Sequence, residues 1–159
     1  MSEDFRKLVT DLWSSLGLRA PVFRSRNQMV LNIDGMDIDL SESPDGRHML
    51  VTGNAGRLSA DPTRRAQQVQ QILDLNLATM TRHRACVSAE PKGEDTPAIL
   101  IQGICSYDTS NVGELTGIVQ EVLGLVEGYS PQLRDERGTG ARRPTSKPPP
   151  VDEAVIFRP

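Results

Sequence analysis

Residues 29–51, MVLNIDGMDIDLSESPDGRHMLV, decide how the rest of the chain must be read. Met29, Leu31 and Ile33 alternate with polar residues, and Met36, Ile38 and Leu40 do so again after Asp34-Gly35. Asp-Gly between two alternating runs is a two-residue hairpin turn, because both of its residues can take the positive φ such a turn requires. That loop length pairs Ile33 with Met36, Leu31 with Ile38 and Met29 with Leu40, so these apolar side chains share one face. Ser43-Pro44-Asp45-Gly46 reads as a second turn. A four-residue loop there pairs Leu40 with Met49 and Ile38 with Val51, which adds a third strand, about 47–52, to the same face. The opposite face carries Asn32, Asp37, Asp39 and His48, with Val30 and Leu50 as apolar exceptions.

Working outward, a helix is expected over 3–16. Phe5, Leu8, Val9, Leu12, Trp13 and Leu16 form one stripe at helical period. Ser2 is placed to cap it, Glu3 and Asp4 complement its dipole, and Gly17 supplies the stop. Beyond the meander, GNAGRLSA at 53–60 reads as a loop, and Asp61-Pro62 as an N-cap followed by proline at the first helical position. The helix that follows, about 62–80, puts Ala66, Val69, Ile72, Leu73, Leu77 and Met80 on one stripe and Arg64, Arg65, Gln67, Gln68 and Gln71 off it. Two strands are expected next, about 84–90 and 98–106. The second, AILIQGICS, is almost continuously apolar and therefore central. Asn111 with Glu114 resembles a capping box and opens a last helix, about 111–128, with Val112, Leu115, Ile118, Val119, Val122, Leu125 and Val126 inward. Its Gly113, Gly117, Gly124 and Gly128 each cost about 1 kcal/mol relative to alanine, so it must depend on packing, and the glycines would let it approach the sheet closely.

The fold class is therefore α+β in the order α-β-β-β-α-β-β-α, a twisted, mainly antiparallel five-stranded sheet with three helices. Residues 1–130 make up the domain. From 131 to 159 Pro, Gly and charge dominate, and the segment reads as a disordered Pro/Arg-rich tail carrying one short apolar plug, Ala154-Val155-Ile156-Phe157.

Composition excludes several functions. Of the 159 residues 37% are apolar before glycine is counted, which is ordinary for a globular protein. The longest apolar run, Val122–Val126, falls far short of the roughly 20 residues that cross a bilayer, so no membrane insertion is expected. MSEDFRK at the start leads into no apolar stretch and does not read as a signal peptide. Cys86 and Cys105 make no disulfide framework, which suits a reducing cytosol, although their strands could bring the thiols together. Residues 131–159 carry a net +2 against −3 for the whole chain, which leaves −5 on residues 1–130. An acidic body repels phosphate backbones, so nucleic acid is not an expected partner.

No reactive constellation is legible. His48 and His83 stand alone without metal-ligand spacing, and neither thiol has a basic group placed to stabilise a thiolate. Asp34 belongs to a turn, and Asp37 with Asp39 occupies a solvated strand face without the desolvation that splits the pKa values of a catalytic pair. There is no G-x-S-x-G, P-loop or dinucleotide fingerprint. No catalytic residue, metal or cofactor is assigned, and the pattern points to a binding protein.

The element order, the acidic body and the stretches FRKLVTDLWSSLGL, LNIDGMDIDLSE, ADPTRRAQQVQQILDLNL and GELTGIVQEVLGLVEGY resemble the class I type III secretion chaperones, the CesT/Tir-chaperone family. The resemblance spans Ser2 to about Tyr129. It implies a cytoplasmic, homodimeric, non-enzymatic protein of a Gram-negative bacterium. Such a protein holds the extended N-terminal segment of a secreted effector in a secretion-competent state, and the secretion ATPase is a candidate further partner. A rival of the same fold is a regulator that sequesters an anti-activator protein; another is a small α+β enzyme with a pocket between helix and sheet. The Pro-rich tail departs from the family's short acidic ending. Read from the residues, a sheet with more apolar surface than one small chain can cover should dimerise through Val69, Ile72, Leu73, Leu77 and Val87. The expected effector contacts are Phe5, Trp13, Val22, Phe23, Val30 and Leu50.

Overall fold

The computed structural model describes residues 3–18, 21, 23–79, 81–90 and 96–134. The elements run α1 (Glu3–Ser15), β1 (Gln28–Ile33), β2 (Met36–Glu42), β3 (His48–Arg57), α2 (Pro62–Thr79), β4 (Cys86–Glu90), β5 (Ala98–Ser106) and α3 (Val112–Leu133). This is the order read from the sequence. The strands form one sheet, β1-β2-β3-β5-β4, and every pairing in it is antiparallel.

The first hairpin has the expected register, Ile33↔Met36, Leu31↔Ile38 and Met29↔Leu40. Asp34 and Gly35 take φ of 51° and 83°, the positive values the turn demands. The second hairpin differs by two residues. Leu40 faces Val51 and Ile38 faces Gly53, because the loop is 44–47 rather than 43–46. Ser43 N donates to His48 O at 2.8 Å and closes the loop, the Ser43 hydroxyl donates to Asp45, and Arg47 N donates to Asp45 Oδ1 at 3.0 Å. A slip of two keeps every side chain on its expected face.

Asp45 ties this loop together. Its carboxyl is lowered to about 2, first by the Ser43 hydroxyl and then by the Arg47 amide, with His48 adding a smaller pull. A depressed folded-state value favours the folded loop above the ordinary carboxylate value of 3.8, and that preference is lost as pH falls through about 2. The Arg47 amide proton, followed by NMR, should therefore shift with a midpoint near 2, and Asp45→Asn should abolish the titration.

β3 runs on to Arg57, through residues 53–57 that read as loop. Glycine and asparagine carry no strand signal, but the nine-residue β5 offers a partner along the whole length, with a bulge between Asn54 and Gly56. α3 continues five residues past the expected end and takes Pro131 inside it. Tyr129 and Leu133 are buried, and that packing offsets the proline. The expected boundary at 130 thus falls inside the helix.

α1 ends as expected. Gly17 has φ of 66°, and Leu18 N→Trp13 O (3.0 Å) with Gly17 N→Ser14 O (3.2 Å) closes a Schellman motif. Ser2 and Met80 lie outside the described residues. Asp61 caps α2 through its Oδ1, which accepts from Thr63 N (2.9 Å) and Arg64 N (3.0 Å). Asn111 caps α3 by accepting from Glu114 N at 3.1 Å.

α1 and α3 cover one face of the sheet. Phe5, Val9, Leu12 and Trp13 of α1 join Met29, Leu31, Ile38, Leu40, Met49 and Val51 of the meander and the inner side of α3 in a single core. α3 comes close to the strands because the strands are glycine there. A Cβ on Gly103 would lie 2.5 Å from Ile118 Cγ2, and one on Gly53 would lie 2.6 Å from Val126 Cγ2. The helix's own Gly117, Gly124 and Gly128 point into open space, so the expectation that they permit the close approach is corrected. The cysteines cannot meet. Cys105 is buried beside Met49 on the inner face, where burial raises its thiol pKa, whereas Cys86 is exposed and pairs with Gln102 on the outer face.

Candidate protein-binding surfaces

Among the described residues, two apolar surfaces remain uncovered. The first belongs to α2. Of its expected stripe only Ile72 is buried; Val69, Leu73 and Leu77 are 38%, 60% and 70% exposed. Across from them stand Val87 and Ala89 of β4 with Leu58 and Ile99, and the two sides enclose an apolar groove of about 190 Å³. Of the five residues expected at a subunit interface, Val69, Ile72 and Leu73 line one side of this groove and Val87 the other, while Leu77 lies further along α2. α2 itself is held by polar side chains. Gln68, expected off the stripe, is buried: its Oε1 accepts from Ser59 N at 2.7 Å and its Nε2 donates to Gln132 O at 3.1 Å. Arg64 donates to Arg134 O at 2.9 Å, and Arg65 donates to Ser59 O at 2.9 Å. Side chains of α2 therefore satisfy carbonyls that the C-terminus of α3 leaves open. Nothing in the local sequence of α2 announces this, because the partner groups lie some 64 residues away.

The second surface is the outer face of the sheet. Its polar side chains pair with one another: Asn32 Nδ2 donates to Asp37 Oδ1 (2.7 Å), Gln28 Nε2 to Asp39 Oδ2 (2.5 Å), and Ser88 Oγ to Gln102 Oε1 (3.0 Å). Between them Val30, Leu50 and Leu100 are partly exposed and Ile104, opposite Leu50, is 57% exposed. Val30 and Leu50 sit where expected. Ile104 and Leu100 were hidden in the continuous apolar run of β5, where period-two alternation cannot be seen. Beside these polar pairs, what this face offers a partner is chiefly apolar contact area.

The aromatic residues are placed differently. Phe5 is fully buried and Trp13 is 8% exposed; both are core residues of α1. Phe23 is partly exposed and packs on Phe5, with ring centroids 6.2 Å apart and the Arg6 guanidinium 5.8 Å above its ring. Val22 lies outside the described residues. Among the described residues no three His, Cys, Asp or Glu side chains converge as metal ligands, and no helix is long and apolar enough to cross a membrane.

No family model and no curated protein sequence matches the chain. Solved structures do. A HopA1–SchA chaperone–effector complex is similar at a TM-score of 0.65 and 16% identity, over 80% of this chain and 94% of that one. The Yersinia pestis type III secretion chaperone SycH, in complex with a stable fragment of YscM2, is similar at 0.59 and 15% identity, over 79% and 99%. YbjN from E. coli follows at 0.54 and 14%, over 80% and 93%. The fold is that of the class I type III secretion chaperones, as the sequence resemblance implied, and YbjN shares it.

Proposed function

We propose that this protein is a cytoplasmic type III secretion chaperone of a Gram-negative bacterium. It dimerises through α2 and the β4 edge and holds the extended N-terminal segment of a secreted effector on the outer face of its sheet. The observation that carries this reading is the set Val30, Leu50, Leu100 and Ile104. Among the described residues these apolar side chains stand uncovered beside the Asn32–Asp37 and Gln28–Asp39 pairs. Solved relatives in fold include a chaperone bound to its effector.

An extended segment places every second side chain toward the sheet, so alternate apolar residues of a client can reach Leu50 and Ile104. At the β1 edge its main chain can also add hydrogen bonds. Binding and release break no covalent bond. The client is ordered as it binds, which offsets much of the contact energy and keeps the complex reversible. Phe5 and Trp13 are core residues on the covered face of the sheet, and Phe5 packs on the ring of Phe23. The secretion ATPase, as receiver of the loaded complex, completes the proposed cycle.

The test is capture from the host cytosol with tagged wild type and with Leu50→Asp/Ile104→Asp. Both positions are solvent-accessible, so the variant should fold, as judged by circular dichroism. Each buried aliphatic contact is worth about 1.5–3 kcal/mol, so losing two should weaken client capture by at least a hundredfold. Undiminished capture by the folded variant rejects the outer face as the client site. The mass of the captured protein separates an exported effector from a regulatory partner.

A further inference from the structure

We infer that Glu121 of α3 is a positioning residue: it sets how far the β4 edge stands from α2, and so the shape of the apolar groove between them. That the groove is the subunit contact rests on the function proposed above; the hold on β4 does not.

A carboxylate is expensive to shield from water unless it is paired. The Glu121 side chain is only 20% exposed, and among the described residues no lysine or arginine pairs with it. Its Oε1 accepts instead from Ala85 N at 2.9 Å and stands 3.6 Å from His83 Nδ1. Both partners belong to the segment that leads into β4, and Ala85 immediately precedes Cys86, the first residue of the strand. An amide that donates to a charged acceptor is held about twice as strongly as one that donates to a neutral group. The neighbouring Arg84–Glu114 pair, at 3.6 Å, lies at the surface, where such pairs contribute little. Glu121 therefore carries the attachment of this segment to α3. An apolar residue at 121 would cover the same flank, but a carboxylate adds direction, because it bonds one particular amide.

The topology turns that attachment into control of the groove. β4 is an edge of the sheet and pairs with β5 alone. α2 is fastened in its first half, where Gln68 bonds Ser59 N and Gln132 O. The chain leaves α2 at Thr79 and enters β4 at Cys86, so the segment between them spans the opposite end of the groove. Toward that end, Asn76 of α2 and Val87 of β4 line its two sides. Both walls are thus referred to one helix, α3, through Gln68 at one end and Glu121 at the other. Without the carboxylate, the Val87 wall loses its fixed distance from Leu73 and Leu77, while the Gln68 end keeps its own.

Spin labels in the full chain test this. One is carried by Cys86, which is exposed whereas Cys105 is buried, and the other by Ala78→Cys near the end of α2. Dilution with unlabelled protein restricts the signal to pairs within one chain. Wild type and Glu121→Gln, which keeps an acceptor for Ala85 N, should give one narrow distance distribution, and Glu121→Ala a broader or displaced one. A control pair, Gln67→Cys with Glu127→Cys in Cys86→Ser protein, reads the Gln68 joint and should not change. A Cys86 pair unaltered by Glu121→Ala, broadening of both pairs together, or Glu121→Gln behaving like Glu121→Ala would each overturn the proposal. Amide exchange of the wild type needs no variant to fold. Ala85 N–H should be protected at least about tenfold relative to an unstructured amide, and an unprotected Ala85 overturns the proposal. Self-association separates this role from the pairing it serves. Glu121→Ala should weaken it at least about tenfold. Unchanged self-association beside a broadened Cys86 pair would leave the role of Glu121 standing and reject the groove as subunit contact alone.

Discussion

Leu73→Asp with Leu77→Asp is expected to yield a folded 17.5 kDa monomer, and the wild type the proposed dimer, at micromolar concentration. The two side chains are 60% and 70% exposed in the isolated chain, so a polar replacement removes no core contact. In a twofold interface each substitution appears twice. Four leucines would leave the contact, each worth about 1.5–3 kcal/mol when fully buried, and four carboxylates would enter an apolar seam. A loss of only about 4 kcal/mol already raises Kd a thousandfold. Sedimentation equilibrium measures the mass and circular dichroism checks the fold. A variant that remains dimeric moves the twofold contact elsewhere, and a wild type that is itself monomeric at micromolar concentration rejects the dimer.

Gly103→Val should be the most destabilising single change in the body of the domain. The added Cβ would stand 2.5 Å from Ile118 Cγ2 and 3.4 Å from Val122 Cγ2. Neither neighbour can turn away freely, because both are β-branched and held on the inner side of α3. Relief requires lifting α3 from β3 and β5, which exposes Val122 and Val126 as well. Overpacking of this kind costs typically 1–3 kcal/mol and occasionally more, and the central position of β5 places this case at the upper end. Urea denaturation should give a loss of about 3 kcal/mol, and the melting temperature should fall by roughly 10 °C. Ile118→Ala in the Gly103→Ala background should recover part of what Gly103→Ala loses, since it vacates the contested space. A Gly103→Val protein as stable as wild type would show that α3 sits further from the sheet than described.

Much of this architecture was legible because local chemistry and global packing agree. The Asp34-Gly35 turn, the Asp61 and Asn111 caps and the Gly17 stop are each decided within a few residues, and the structure places all of them where they were read. What was illegible depends on partners distant in sequence. The extension of β3 through Gly53 is dictated by β5 and by the passage of α3 over it. The continuation of α3 through Pro131 follows from burial of Tyr129 and Leu133, which the proline argues against locally. Gln68 reads as a surface residue because its bonding partners belong to another helix end and a loop. On the outer face of the sheet, Val30 and Leu50 stand out in the sequence because they break an otherwise polar alternation. The exposure of Ile104 is not legible in the same way, because β5 is apolar on both faces. Phe5 and Trp13 drew attention by size, and size alone does not distinguish a core residue from an anchor on the surface.

The joint between α2 and the end of α3 has a practical consequence. Gln68, Arg64 and Arg65 donate to carbonyls of residues 132, 134 and 59, and Ser59 contributes only its amide to Gln68. The receiving side is thus main chain, indifferent to which amino acids occupy it, whereas the donating side tolerates little change. Affinity tags, fluorophores or chemical handles can accordingly be grafted at 132 and 134 without unfastening the joint. An expression fragment that stops at 130 would instead discard two of the acceptors together with Leu133, and would lose its grip on the helix through which the protein is proposed to pair.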